Sequence, residues 1–250
     1  MIVLRLLICL NIFFSICACK STVKQQNDKI YSRHLQRYVD LTIITTAIPN
    51  KKEEMNLLLF NDSKWLDKTR AKEIIDSLHK KKKIQSLLVV AVGGLQKDYG
   101  LQETESENAK QFKKYNEFII DELYPFVKKK TVIRKFNSVG ICGFGQSAVS
   151  GFDIAYNNDE KIALAGMFDP TFSNSPAGDS IILQNINGLR KRPTLKIWMF
   201  SNSSDSSSIN FKKIMDAKKS ITECTLVTNT DNGRSSAENF AAFLLWAYPS

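Results

Sequence analysis

Residues 138–152 read SVGICGFGQSAVSGF, and the order of side-chain sizes in this stretch decides the architecture. Val139, Ile141 and Cys142 make a short apolar run of strand character, and residues 146–156 carry a helical pattern. Between them lie Gly143, Gly145 and Ser147, each small, at alternate positions. Glycines and other small residues at such a junction allow a tight turn in which backbone approaches backbone, and a glycine at the tip tolerates positive φ. The stretch therefore predicts a strand–turn–helix unit with Gly145 at its tip and Gly143 and Ser147 as the small flanks.

Outward from this unit the same grammar repeats. Residues 55–60, 87–92, 162–168, 195–200 and 224–227 are short, nearly continuous apolar runs bounded by turn formers, as expected of strands buried on both faces of a mainly parallel sheet. Helical periodicity fills the intervals at 65–82, 109–128, 209–219 and 237–248, with Pro125 expected to interrupt the second. Residues 30–47 read as two further strands. Alternating strands and helices predict one α/β domain over residues 30–250 with helices on both faces of the sheet.

Several stretches resemble, in order, the esterase D and enterochelin-esterase group of α/β-hydrolase-fold proteins. Ile30-Tyr31-Ser32-Arg33-His34-Leu35 looks like the group's opening strand, and Leu58-Leu59-Phe60-Asn61-Asp62 like its strand ending in an Asp-Gly turn. Lys97-Asp98-Tyr99-Gly100 is similar to its Glu-Tyr-Gly loop, and Tyr115 to Phe126, YNEFIIDELYPF, to its Tyr-x-x-Phe, Glu-Leu, Pro helix. Cys142 to Phe172 matches without a gap, closing on Phe168-Asp169-Pro170 where the group has Phe-Ser-Pro.

The resemblance implies a nucleophile elbow, G-x-S-x-G, and a triad in the chain order Ser, acid, His. Carried over by position, the nucleophile falls on Gly145, the acid on Asp205 and the base on Ser235, with Phe240 in the place of the group's tryptophan. Two of three functional groups are thus missing. The chain has two histidines, His34 and His79, and both precede the elbow. The main-chain donors of an oxyanion hole, the N–H of Gln146 and one from the loop after Phe60, need no particular side chain. A shifted register, Phe144-Gly145-Gln146-Ser147-Ala148, would make Ser147 the nucleophile, but it puts branched Val149 at a flank that must be small.

These residues set two expectations. One is a non-catalytic binding or interaction protein with a small-molecule or glycan ligand in a degenerate cleft. The other is an active ester hydrolase or acyltransferase using Ser147 on a sugar ester or siderophore-like substrate. No cofactor is expected: neither a Walker loop nor a dinucleotide fingerprint occurs, and no metal-ligand spacing is found.

Residues 1–19 stand apart. Arg5 is the only charge, the run from Leu6 to Ile16 is apolar, and Ile16-Cys17-Ala18-Cys19 resembles a bacterial lipobox, which implies a lipid on Cys19. Ordinary cleavage near Ala18 is the alternative. Residues 20–29 read as a tether. A lipid anchor would place the domain on a bacterial envelope membrane, facing the periplasm or the exterior. Removing the leader leaves Cys142 and Cys224 beside Cys19, both in apolar strand context and expected to be buried. The formal charge is +10, yet the dense runs Lys80 to Lys83 and Lys128 to Lys130 fall at helix ends, where cations suit the macrodipole. That distribution speaks against a nucleic-acid partner and leaves attraction to an anionic membrane open.

Overall fold

In the computed structural model the residues described are 23–46, 55–93, 105–131, 133–172, 194–202, 206–217, 223–228 and 235–250. The chain opens with a hairpin, β1 (Lys24–Ser32) and β2 (Arg37–Thr45), in which Lys24 pairs with Thr45 and Ser32 with Arg37. Strand β1 starts inside the stretch read as a tether, a correction to that boundary. Its first six residues, KQQNDK, are polar on an exposed edge, so the hydrophobic pattern marked only its end from Ile30.

Six strands follow: β3 (Asn56–Asn61), β4 (Leu87–Val92), β5 (Val139–Phe144), β6 (Leu164–Phe168), β7 (Lys196–Ser201) and β8 (Glu223–Thr228). They join the hairpin in one eight-stranded sheet of order β1-β2-β4-β3-β5-β6-β7-β8, parallel from β4 onward. Every residue of β3, β4, β5 and β6 is buried, which is why these strands read as unbroken apolar runs. Successive side chains serve opposite faces. Leu57, Leu59, Ile141 and Met167 pack into one core, and Leu58, Phe60, Cys142 and Phe168 into another.

The second core is closed by α1 (Trp65–Lys68), α2 (Ala71–Lys80) and the last helix. The single helix expected over 65–82 is split, because Arg70 takes a left-handed conformation (φ 50°, ψ 43°) between α1 and α2. The first core is covered by a long helical segment. It runs as α3 (Glu105–Glu117), passes through a π-helical turn at Phe118–Leu123 and continues as α4 (Tyr124–Thr131). Pro125 was expected to interrupt it. Instead the widened turn, in which the Tyr124 N–H donates to Ile119 O, lies just ahead of the residue that cannot donate, and the helix runs on. Further helices are α5 (Gln146–Asn157), α6 (Ser206–Ala217) and α7 (Ser236–Ala247).

Helix α5 carries one carboxyl at odds with its surroundings. Burial pushes Asp153 up to about 6, partly offset by a hydrogen bond from Asn157. Between about pH 4 and 6 the folded protein thus binds a proton that the unfolded chain has released, and the fold loses stability as pH rises through that window. Asp153→Asn is expected to raise stability by about 2 kcal/mol at pH 7.5, with the gain largely gone at pH 4. Urea midpoints of both proteins at the two pH values test this; an equal gain at both would show that charge is not the cause.

Candidate functional site

The turn after β5 lies at the carboxyl edge of the parallel strands, where open α/β sheets bind their ligands. Gly145 sits there with φ 60° and ψ −126°, between the end of β5 and the start of α5. Its N–H donates to Phe168 O at 2.9 Å, and its carbonyl accepts from Ala148 N at 3.2 Å. A Cβ built on Gly145 meets only Thr171 Oγ1, at 3.6 Å, so there is room for a side chain at the tip. Gly143 has no such room. A Cβ there would lie 2.5 Å from Ser147 O and 2.6 Å from Ser147 C, inside the backbone of the first turn of α5. Gln146 follows as the first helical residue, half-buried.

Ser147 is 4% exposed, and its hydroxyl is used within the turn. It donates to Phe144 O at 2.7 Å and accepts from Phe144 N at 3.1 Å. Its carbonyl accepts from Asn61 Nδ2 at 3.3 Å, and Asn61 Oδ1 in turn accepts from Tyr115 OH at 2.8 Å. Asn61 and Tyr115 are fully buried, so this polar chain fixes β3, the elbow and α3 against one another. Sequence reading had marked both residues as parts of motifs without giving either this role.

Aromatic rings of the second core pack against the elbow. Phe144 is sandwiched between Trp65 (4.3 Å, 11° between planes) and Phe168 (4.5 Å, 12°), and Lys68 Nζ lies 4.5 Å from the Trp65 ring centroid. Phe168 continues into Trp198, Phe240 and Phe243. Asp62, whose turn resembles Asp-Gly, has φ 72° and is nearly buried, with Lys64 donating to it from N (3.1 Å) and Nζ (2.7 Å).

Asp169 was missed as a structural element of the site. It has φ 44°, a conformation Asp enters more readily than most residues, and its carboxylate accepts from Asn202 N and Asn202 Nδ2, both at 2.6 Å. It therefore clamps the end of β7 to the end of β6, next to the elbow. The Phe-Asp-Pro triplet gave no signal of it, since a residue before proline is expected in extended backbone and not at positive φ.

Of the other expected positions, Asp205 and Cys19 lie outside the described residues. Ser235 is the N-cap of α7, on the same sheet edge as Gly145. Its Oγ accepts from Glu238 N while Glu238 Oε2 accepts from Ser235 N at 2.8 Å, a complete capping box. Ser235→Ala is expected to cost about 1 kcal/mol, measurable as a lower urea midpoint. The histidines are elsewhere. His34 lies in the β1–β2 turn with Nδ1 3.3 Å from Glu117, four interstrand spacings from β5, which is roughly 19 Å. His79 is in the last turn of α2, at the opposite edge of the sheet. Burial pushes both described thiols up, Cys142 well above its usual value and Cys224 to about 12, so neither is a ready nucleophile. Among the described residues no group of His, Cys, Asp and Glu is placed to hold a metal ion.

The parallel sheet covered on both faces, with a strand–turn–helix elbow at its carboxyl edge, defines an α/β-hydrolase-fold protein. The family model described as "Putative esterase" matches residues 42–236, and the chain belongs to that family. No curated protein matches the sequence. Solved structures with the same fold include a ferulic acid esterase (14% identity, TM-score 0.68, 91% of this chain and 96% of that one). Another is a ferulic acid esterase from the anaerobic fungus Anaeromyces mucronatus (15%, 0.65, 89% and 90%). The enterobactin esterase from Shigella flexneri also matches (14%, 0.68), over 90% of this chain but only 59% of that one.

Proposed function

We propose that this esterase-family protein is a non-catalytic ligand-binding or interaction protein of the bacterial cell envelope, anchored through Cys19. The observation that carries the reading is Gly145: the elbow keeps its tight positive-φ turn and the space for a side chain, while the side chain that would attack an ester is absent. A base is wanting too, since neither histidine is near the elbow and Ser235 is occupied in capping α7. Removing the serine or the histidine of a triad costs about 10⁶ in turnover. The carboxyl edge of such a sheet can still hold an ester, a carboxylate or a glycan without turning it over. Solved structures of the same fold include esterases of ferulic acid and of enterobactin, which suggests a ligand bearing an aromatic acid or an ester-linked sugar.

The buried, doubly bonded hydroxyl of Ser147 speaks against the alternative in which that residue attacks the substrate. A fluorophosphonate probe, which labels only an activated serine, separates the two. No labelling and no hydrolysis of p-nitrophenyl acetate above a denatured control is expected. Labelling that disappears in Ser147→Ala would overturn the reading.

A further inference from the structure

The hydrogen bonds that line up the starts of the parallel strands also gather separate stretches of basic sequence onto one edge. Asn56 N donates to Ser86 O, Leu57 N to Ser138 O, Ala163 N to Val139 O and Lys196 N to Ala163 O. The loops entering these strands therefore lie side by side, at the edge opposite Gly145. They carry Lys81, Lys82 and Lys83 before β4, Arg134 and Lys135 before β5, and Lys161 before β6, all exposed. Lys24 and Lys196 begin β1 and β7 at the same edge, through the registers Lys24 with Thr45 and Thr45 with Leu88. The acids that share it are fewer: Asp159, which accepts from Thr194 N, the exposed Glu160, Asp216, which pairs with Lys212 in the last turns of α6, and Glu223 beside Lys196.

We propose that this basic edge docks on an anionic lipid surface. Charge complementarity is one argument, and chain connectivity supplies the second. Val23, 4% exposed, packs in the same core cluster as Ile84, at this edge. Cys19 is four residues earlier, so a lipid on it could stand no more than about 14 Å from Val23. An anchor there holds the lysines within one or two Debye lengths of the bilayer, where each adds to the attraction. The inference rests on the envelope reading above and deepens it: strands of six residues, about 20 Å long, would hold the Gly145 edge away from the bilayer, facing soluble or glycan ligands.

The test uses residues 20–250, which hold every described element but no lipidation site, so that vesicle affinity is read independently of the anchor and of the cleft. Co-sedimentation with vesicles of roughly one-third phosphatidylglycerol in phosphatidylcholine is expected at 0.1 M salt, and it should be lost at about 1 M. Charge reversal at Lys81, Lys82 and Lys83 should weaken it at least about tenfold. The same reversal at Lys110, Lys113 and Lys114 should change it little. Those lysines lie on α3 toward Glu117, whose contact with His34 puts that part of the helix at the other edge. Matching thermal melts verify that all variants fold. Equal loss in the two triple variants, no vesicle binding by wild type, or binding to a DNA duplex without binding to vesicles would each overturn the proposal. Vesicle binding by a chain that proves to carry no lipid on Cys19 in cells would uphold it while the anchoring reading falls.

Discussion

Gly143→Ala should destabilise the protein by upwards of about 3 kcal/mol, whereas Gly145→Ser, two residues on, should cost about 1–3 kcal/mol and leave the turn in place. The two glycines are needed for different reasons. At Gly143 the added methyl lands 2.5 to 2.9 Å from Ser147 O, Ser147 C and Ala148 N. These are backbone atoms of α5, and Ser147 O is also held by Asn61 Nδ2, so relief requires the helix to move off the sheet. At Gly145 there is space, and the penalty is only torsional, that of putting an L side chain at φ 60°. Urea unfolding of the two variants gives the comparison. If Gly143→Ala proved the milder change, the close approach of strand and helix would be wrong. A crystal structure of Gly145→Ser should find its Oγ at the tip of the turn near Thr171, in the place a nucleophile would hold.

The elbow was legible in sequence because its constraint is local. Small residues at three alternate positions after an apolar run leave few alternatives, and the parallel strands announced themselves through unbroken apolar runs that only a doubly covered sheet produces. What escaped was set by tertiary context. The first six residues of β1 are polar on an exposed edge, so the hydrophobic pattern marked only the end of that strand. The break at Arg70 comes from a left-handed non-glycine residue, which no propensity predicts. Pro125 misled because its cost was absorbed by a π-turn one step earlier. The clamp between Asp169 and Asn202 joins residues 33 apart, and the chain from Tyr115 through Asn61 to Ser147 joins residues 54 and 86 apart, distances at which periodicity carries no information.

Phe144→Ala should have an effect of similar size, about 3–5 kcal/mol, and it tests how the elbow is held from its other side. Phe144 is the residue immediately before the tip. Its backbone is pinned by the Ser147 hydroxyl and its ring by parallel neighbours on both faces, at 4.3 and 4.5 Å. Removing the ring leaves a cavity between Trp65 and Phe168 that neither fills readily. Phe168 is tied to Phe240 and Phe243, and Trp65 begins the short helix α1. Stacking beyond simple burial is isolated by a double-mutant cycle of Phe144→Leu with Trp65→Leu, for which a coupling of about 0.5–1.5 kcal/mol is expected. Trp65 is half-buried at the carboxyl edge of the sheet, so loosening it also loosens the packing beside the elbow. A coupling near zero would mean that the rings lie parallel without supporting one another, and that the elbow is held by hydrogen bonds such as those of Asn61, Ser147 and Gly145.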